Sequence, residues 1–184
     1  IMHFAHIMAY SMIGDNCLIG HNTTISSGVV IGNNVRVMNN ALLNNGVILE
    51  DDVYCGPSTV FTPIKRIRSD QQAVSKVSPT LIRQGASIGP HTTVASGVVV
   101  GKFAFIEASS VIDGNVPDFA VIYGNPLKIG GWRCECTNTI DFKVAAWTRC
   151  SHCGKTYTRK SKRKIVQERF DSDHDTYSKP HTSV

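Results

Sequence analysis

Apolar residues recur every six positions along most of this chain. Counting in sixes from Ile1 gives Ile7, Ile13, Ile19, Ile25, Ile31, Val37, Leu43, Leu49, Cys55 and Phe61. The count restarts at Ile82 and runs through Ile88, Val94, Val100, Ile106 and Ile112. An amphipathic helix would repeat at three and four residues, and a half-buried strand at two. Neither holds a period of six for so long. A fixed internal period marks a repeat architecture.

The rest of each hexad has its own order. Glycine often follows the aliphatic residue, as at Gly14, Gly20, Gly32, Gly56, Gly89 and Gly101. Three places after it stand Asn16, Asn22, Gly28, Asn34, Asn40, Gly46, Asp52, Gly85 and Gly97. Asn, Asp and Gly tolerate positive φ, so this position predicts a turn. One place later the residue is small or β-branched, as at Cys17, Thr23, Val29, Val35, Ala41 and Ala86. It is expected to point inward at a corner.

These hexads resemble the hexapeptide-repeat, left-handed parallel β-helix. The resemblance implies an all-β prism with three hexads to each triangular coil, and it supplies the handedness. The hexads would fill five to six coils, about 25 Å tall at roughly 4.8 Å per rung. Each coil would be stabilised mainly by its neighbours. Ile1 already stands in the inward register with no polar cap before it. A further coil ahead of it is therefore expected.

Composition refines this picture. The 184 residues are 42% hydrophobic but only 8% aromatic, so aliphatic side chains must supply the core. From residue 159 onward seven Lys/Arg face four Asp/Glu, which gives the tail +3 of the net +5. The body is nearly neutral, which argues against nucleic acid as a partner of the whole chain. No apolar run approaches the roughly 18 residues that span a bilayer, so no membrane partner is expected.

The beat breaks between Thr62 and Thr80. This stretch carries Lys65, Arg66, Arg68 and Lys76 against a single acid, Asp70. A long excursion in a compact domain is usually functional. It reads either as a loop extruded from a prism corner to meet an anionic ligand or as a solvated basic loop.

Around the break the resemblance narrows. "EDDVYCGPSTVFTPIKRIRSD", "PTLIRQGASIGPHTTVASGVVVGKFAFIEASSVI" and "VPDFAVIYGNPLKIGGW" closely resemble the nucleotide-sugar N-acetyltransferases of the hexapeptide family, from Ile1 to about Trp132. Members of that group acetylate the 3-amino group of a UDP-linked 2-acetamido-3-amino uronic acid, and others act on dTDP-linked amino sugars. The resemblance implies acetyl transfer from acetyl-CoA to a sugar amine, for surface polysaccharide, in a cleft between the prisms of a homotrimer. In the family an Asn that holds the amine follows the Phe-Thr pair. Pro63 stands there in this chain, and proline offers neither a side-chain hydrogen bond nor an N–H. The hydroxyl of Thr62 or the Pro63 carbonyl would have to accept instead. A degraded scaffold or a sugar O-acetyltransferase are the alternatives.

Other candidates follow from the resemblance or from position along the hexads. Arg68 matches an Arg of the family loop and would bind an anion. His91, in "IGPHTTV", is either a turn residue or the catalytic base. His3 and Asn39 are candidate substrate contacts facing the cleft. Ser87, Ser96, Lys102 and Lys128 are placed along the path expected for CoA by position alone.

After Trp132 the hexads end. Cys134, Cys136, Cys150 and Cys153 form C-x-C-x13-C-x2-C. Two pairs of thiols suit a four-coordinate structural Zn²⁺ in a zinc-ribbon-like appendage over 133–158, and free thiols are the alternative. His152 is a candidate replacement ligand. Clustered thiols also suit a reducing compartment, so a cytoplasmic location is expected. Residues 159–184 read as a basic polar tail, expected to be disordered.

Overall fold

The computed structural model describes residues 1–62, 78–142, 146–162 and 164–168. They form a parallel β-helix followed by a small antiparallel sheet. Coil 1 consists of β1 (His6–Ile7), β2 (Met12–Ile13) and β3 (Leu18–Ile19). Coil 2 repeats it with β4 (Thr24–Ile25), β5 (Val30–Ile31) and β6 (Arg36–Val37). Coil 3 has β7 (Leu42–Leu43), β8 (Val47–Leu49) and β9 (Tyr54–Cys55). Coil 4 has β10 (Val60–Phe61), β11 (Thr80–Ile82) and β12 (Ser87–Ile88). Coil 5 has β13 (Thr93–Val94), β14 (Val99–Val100) and β15 (Phe105–Ile106). A sixth begins with β16 (Val111–Ile112), passes a bridge at Val116 and ends in β17 (Ala120–Tyr123).

Strands three apart in sequence pair in parallel and build the three walls of the prism. We call them wall A (β1, β4, β7, β10, β13, β16), wall B (β2, β5, β8, β11, β14) and wall C (β3, β6, β9, β12, β15, β17). Within the early coils, partners stand 18 residues apart, as in Thr24↔Leu42. Across the break Val60 pairs with Thr93 and Leu81 with Ile48, an offset of 33, one coil plus fifteen. Those fifteen are residues 63–77, which lie outside the described residues. The wall continues in register on both sides of them.

Every second side chain of each short strand points inward. Ile19, Ile25, Val37, Leu43, Cys55, Ile82, Ile88, Val94, Val100, Ile106 and Ile112 are fully buried. Each contributes roughly 1.5–3 kcal/mol of apolar burial, and Cys55 less. The corner residues Val29, Val35, Ala86 and Ala104 are fully buried as well, as the hexads predict. Burial pushes the Cys55 thiol up to about 12.

The turn position also behaves as predicted. Asn16, Asn22, Asn34, Asn40, Asp52 and His91 have φ between 54° and 62°. The glycine after the inward residue serves another purpose. A Cβ on Gly20 would lie 2.6 Å from the Asn39 backbone nitrogen in the coil above. Close approach of stacked coils, and not backbone conformation, selects glycine there.

Wall C does not end with the helix. β17 turns back antiparallel into β18 (Lys128–Arg133), which pairs with β19 (Thr139–Ile140). A separate sheet follows, made of β20 (Trp147–Arg149), β21 (Thr156–Ser161) and β22 (Lys164–Glu168). The expectation of a disordered tail from residue 159 is corrected here. Residues 159–161 finish β21 and 164–168 pair back along it, with Tyr157 and Ile165 buried beneath. Residues 169–184 lie outside the described residues.

Candidate active site and thiolate cluster

Thr62 follows β10 at the corner between walls A and B, immediately before residues 63–77. Its N–H donates to the Val94 carbonyl at 2.9 Å, and its half-buried hydroxyl lies 3.5 Å from the same oxygen. Directly below it in the stack is Asn44, whose amide donates to the Phe61 carbonyl at 2.7 Å. Asn44 fixes the last carbonyl before the loop root, and the sequence reading did not single it out. The available signal was an Asn in the place where other hexads carry Gly. Pro63 and Arg68 lie outside the described residues, as do Lys65, Arg66 and Lys76.

His91 stands at a different corner, between walls C and A. It is exposed, has φ 55°, and its N–H donates to the Pro57 carbonyl at 2.9 Å. It is thus a turn residue by geometry, with an imidazole free to face solvent or a partner prism. Strand β10 separates the two corners. Four residues from Ser58, the counterpart of His91 one coil below, to Thr62 amount to roughly 13 Å. One prism therefore does not bring Thr62 and His91 together.

His91 shares its edge with the two candidate substrate contacts. The His3 ring stacks on His21 with centroids 5.6 Å apart and planes at 5°. Asn39 follows in the same column, and its Oδ1 accepts the His21 N–H at 2.9 Å. This bond repeats at other coils, where Asn33 Oδ1 accepts from Asp15 and Asp51 Oδ1 from Asn33. Asn39 thereby has a structural duty within the stack. The wall C/A edge carries His3, His21, Asn39 and His91 over about 20 Å of height, four rungs.

The four residues placed by position for CoA are dispersed. Ser87 is half-buried on the outer face of wall C between Tyr54 and Phe105. The Arg133 guanidinium covers that Phe105 ring at 3.9 Å. Ser96 is buried, and its hydroxyl donates to the Ser78 carbonyl at 3.2 Å, so it is occupied within the A/B corner. Lys102 lies at the wall B/C corner, lining a cavity of about 800 Å³ with Arg83, Phe103, Asp118 and Lys164. Lys128 is exposed at the start of β18.

The four C-terminal cysteines do converge. Their Sγ atoms all lie within 4.8 Å of one another, and His152 is not among them. Cys134 and Cys153 sulfurs are 3.4 Å apart, and those of Cys136 and Cys150 are 3.6 Å apart. Cys134 and Cys136 follow β18, while Cys150 and Cys153 join β20 to β21. Desolvation alone would raise the Cys150 thiol, but the N–H groups of Cys153 and His152, together with the Cys136 and Asn138 side chains, outweigh it and lower it to about 6.

A family model described as the hexapeptide repeat of succinyl-transferase matches residues 12–45. A dTDP-3-amino-3,6-dideoxy-alpha-D-galactopyranose 3-N-acetyltransferase from Aneurinibacillus thermoaerophilus is 40% identical over 78 residues, covering 42% of this chain and 40% of that protein. The putative acetyltransferase YvoF of Bacillus subtilis is 35% identical over 54 residues, 29% of this chain and 31% of that one. The chain thus spans less than half the length of these curated relatives. Among solved structures, a hexapeptide-repeat acetyltransferase from Vibrio cholerae, complexed with acetyl-CoA, aligns with TM-score 0.60 and 23% identity over 66% of this chain and 70% of that one. The acetyltransferase domain of PglB from Neisseria gonorrhoeae, also with acetyl-CoA, aligns with TM-score 0.59 and 21% identity over 68% and 54%. At such identities the structural likeness establishes the fold. Repeat, fold and sequence similarity agree: this chain carries the hexapeptide-repeat β-helix and is similar, along it, to N-acetyltransferases of nucleotide-linked amino sugars.

Proposed function

We propose that this chain is an acetyl-CoA-dependent N-acetyltransferase acting on the amino group of a nucleotide-linked amino sugar, in the cytoplasm and for surface polysaccharide. The observation that carries this reading is the 40% identity over 78 residues to a dTDP-amino-sugar 3-N-acetyltransferase. The prism, with its root at Thr62, supplies the frame for such a site.

The chemistry asks for placement more than for strong acids or bases. A neutral sugar amine attacks the thioester carbonyl, the C–N bond forms, and the C–S bond breaks. The departing thiolate takes the amine's proton, directly or through His91. Holding the two reactants together contributes much of the rate. Thr62 or the Pro63 carbonyl would accept from the amine, and Arg68 would face the substrate's anionic groups. His3 and Asn39 would contact the sugar nucleotide. Ser87, Lys102 and Lys128 remain available for CoA, whereas the Ser96 hydroxyl is occupied.

A homotrimer fits the separation of the candidate residues. Thr62 lies at one edge of wall A and His91 at the other, so a cleft between neighbouring prisms would join one prism's loop root to the next prism's histidine edge. The outward residues of wall B, Met12, Val30, Ile48, Leu81 and Val99, are all apolar. Such a face suits burial in an assembly.

One specific residue favours a second reading, a hexapeptide scaffold that no longer catalyses. Pro63 cannot hold an amine as an Asn side chain would. The test is thiol release from acetyl-CoA with a panel of UDP- and dTDP-linked amino sugars. Turnover with an amino sugar supports the enzyme. No turnover and no CoA binding by calorimetry would end that reading. Activity that appears only in Pro63→Asn would establish the scaffold as a degraded enzyme.

A further inference from the structure

Two turns at the upper end of the prism break the hexad rule. Phe103 and Phe119 hold φ of 54° and 63°, as Phe4 and Tyr10 do at the lower end, whereas most turns between them use Asn, Asp or Gly. A bulky residue in that region is disfavoured sterically. Phe4 and Tyr10 leave their rings exposed, whereas Phe103 and Phe119 are packed. Phe103 packs over Gly85, where even a Cβ would come within 2.4 Å of the ring. Phe119 stacks on Phe103 with centroids 5.7 Å apart. Tyr157, near the start of β21, meets Phe119 edge-on at 5.2 Å and is fully buried. The Tyr157 hydroxyl lies 3.0 Å from Cys134 Sγ. An unbroken line of contacts therefore runs from the prism corner to the thiol cluster.

The cluster has the form of a metal site. Zn–S bonds near 2.3 Å place tetrahedral sulfurs roughly 3.8 Å apart. The spacings of 3.4 Å and 3.6 Å and the 4.8 Å limit on all pairs come close to that. The surroundings supply donors, as thiolates require. Backbone N–H groups of His152 and Cys153 point at Cys150, that of Asn138 at Cys136, and that of Lys155 at Cys153. The Asn138 amide lies 3.7 Å from Cys150 Sγ. Lys155 also forms an ion pair with Glu135, joining the two cysteine turns. Such outer contacts fix ligand orientation.

We propose that Cys134, Cys136, Cys150 and Cys153 bind one Zn²⁺ as four thiolates, and that this site clamps the β20–β22 sheet onto the final coils through Tyr157. Two ligands belong to the β18–β19 extension of wall C and two to the separate sheet, so the metal joins the two. Binding expels the protons of whichever ligands are still thiols, and the Tyr157 hydroxyl donates to the Cys134 sulfur. Four protein ligands leave no open position, so the site is structural. Removing the metal would free Tyr157 and leave Phe119 in its turn, still stacked on Phe103 but without its edge-on partner. This inference does not depend on the proposed transferase activity.

The test begins with intact-mass spectrometry and metal analysis of the purified chain. One zinc per chain, with none in Cys153→Ser, is expected. Four reduced thiols without metal after refolding in zinc, or two disulfides, would overturn the site. Chelation should then lower the melting temperature by on the order of 5 °C or more and raise hydrogen exchange at 101–122. Phe119→Asn restores the ordinary turn residue. It should keep its zinc but lose at least half of the chelation-induced shift. An unchanged melting temperature in the wild type, or an equal shift in Phe119→Asn, would overturn the clamp.

Discussion

Cys55 stands in the inward column where neighbouring coils place Val37 and Ile88, and it is fully buried. Its sulfur is a small apolar filler. Burial holds its pKa at about 12, so the thiol stays protonated in the folded chain. Thiol reagents at neutral pH should spare Cys55 until the prism unfolds, and mass mapping of labelled peptides checks this. The same shift fixes a sign. The folded pKa is raised, so this contribution to stability is complete below about pH 9 and fades as pH rises toward about 12. Cys55→Val should flatten the loss of stability in that alkaline window, as read by denaturant midpoints. At this scale the inward residues were plain in the sequence, because burial acts on each side chain alone. The duty of Asn39 was not. Its carbonyl reaches a backbone 18 residues away, and only stacking brings the two together.

Each strand of the prism is only two or three residues long, with the exception of β17. Such elements cannot be stable alone and draw their order from the coils above and below. The period of six exposes them because each strand, turn and corner returns on a fixed count. The hairpin of β21 and β22 has no such count. Its lysines and arginines look like a solvated tail, and the two buried residues that fold it, Tyr157 and Ile165, are eight places apart. The partners of Tyr157, Phe119 and Cys134, lie far outside any local window. The loop root is likewise a matter of neighbouring elements. Asn44 joins coil 3 to the last carbonyl of β10. Asn44→Ala should cost about 1 kcal/mol of stability. In an active enzyme it should also raise KM for the acceptor more than KM for acetyl-CoA. Equal changes in both would detach Asn44 from the loop.

At the level of the whole molecule the three walls differ. Wall B shows an outward apolar column, while wall C mixes Leu18, Arg36, Tyr54, Ser87 and Phe105. A single charge in the apolar column should act strongly if that face is covered by another copy. Ile48→Glu should convert a trimer to monomers in sedimentation velocity, with little change in the melting of the prism itself. A variant that sediments like the wild type would place the assembly on another face. The sequence announces the prism through its period of six, whereas the apolar outward column of wall B returns only once per coil, every 18 residues, and is masked by that faster beat.

The offset of 33 residues across the break, with unchanged register on either side, has one more consequence. The scaffold does not measure what is inserted at that corner. Loop closure grows costly only with the logarithm of length, so segments of quite different size should be accepted there. On the proposed transferase reading, that corner would be a port at which acceptor preference could be exchanged, by grafting a segment from another prism, without redesigning a single rung.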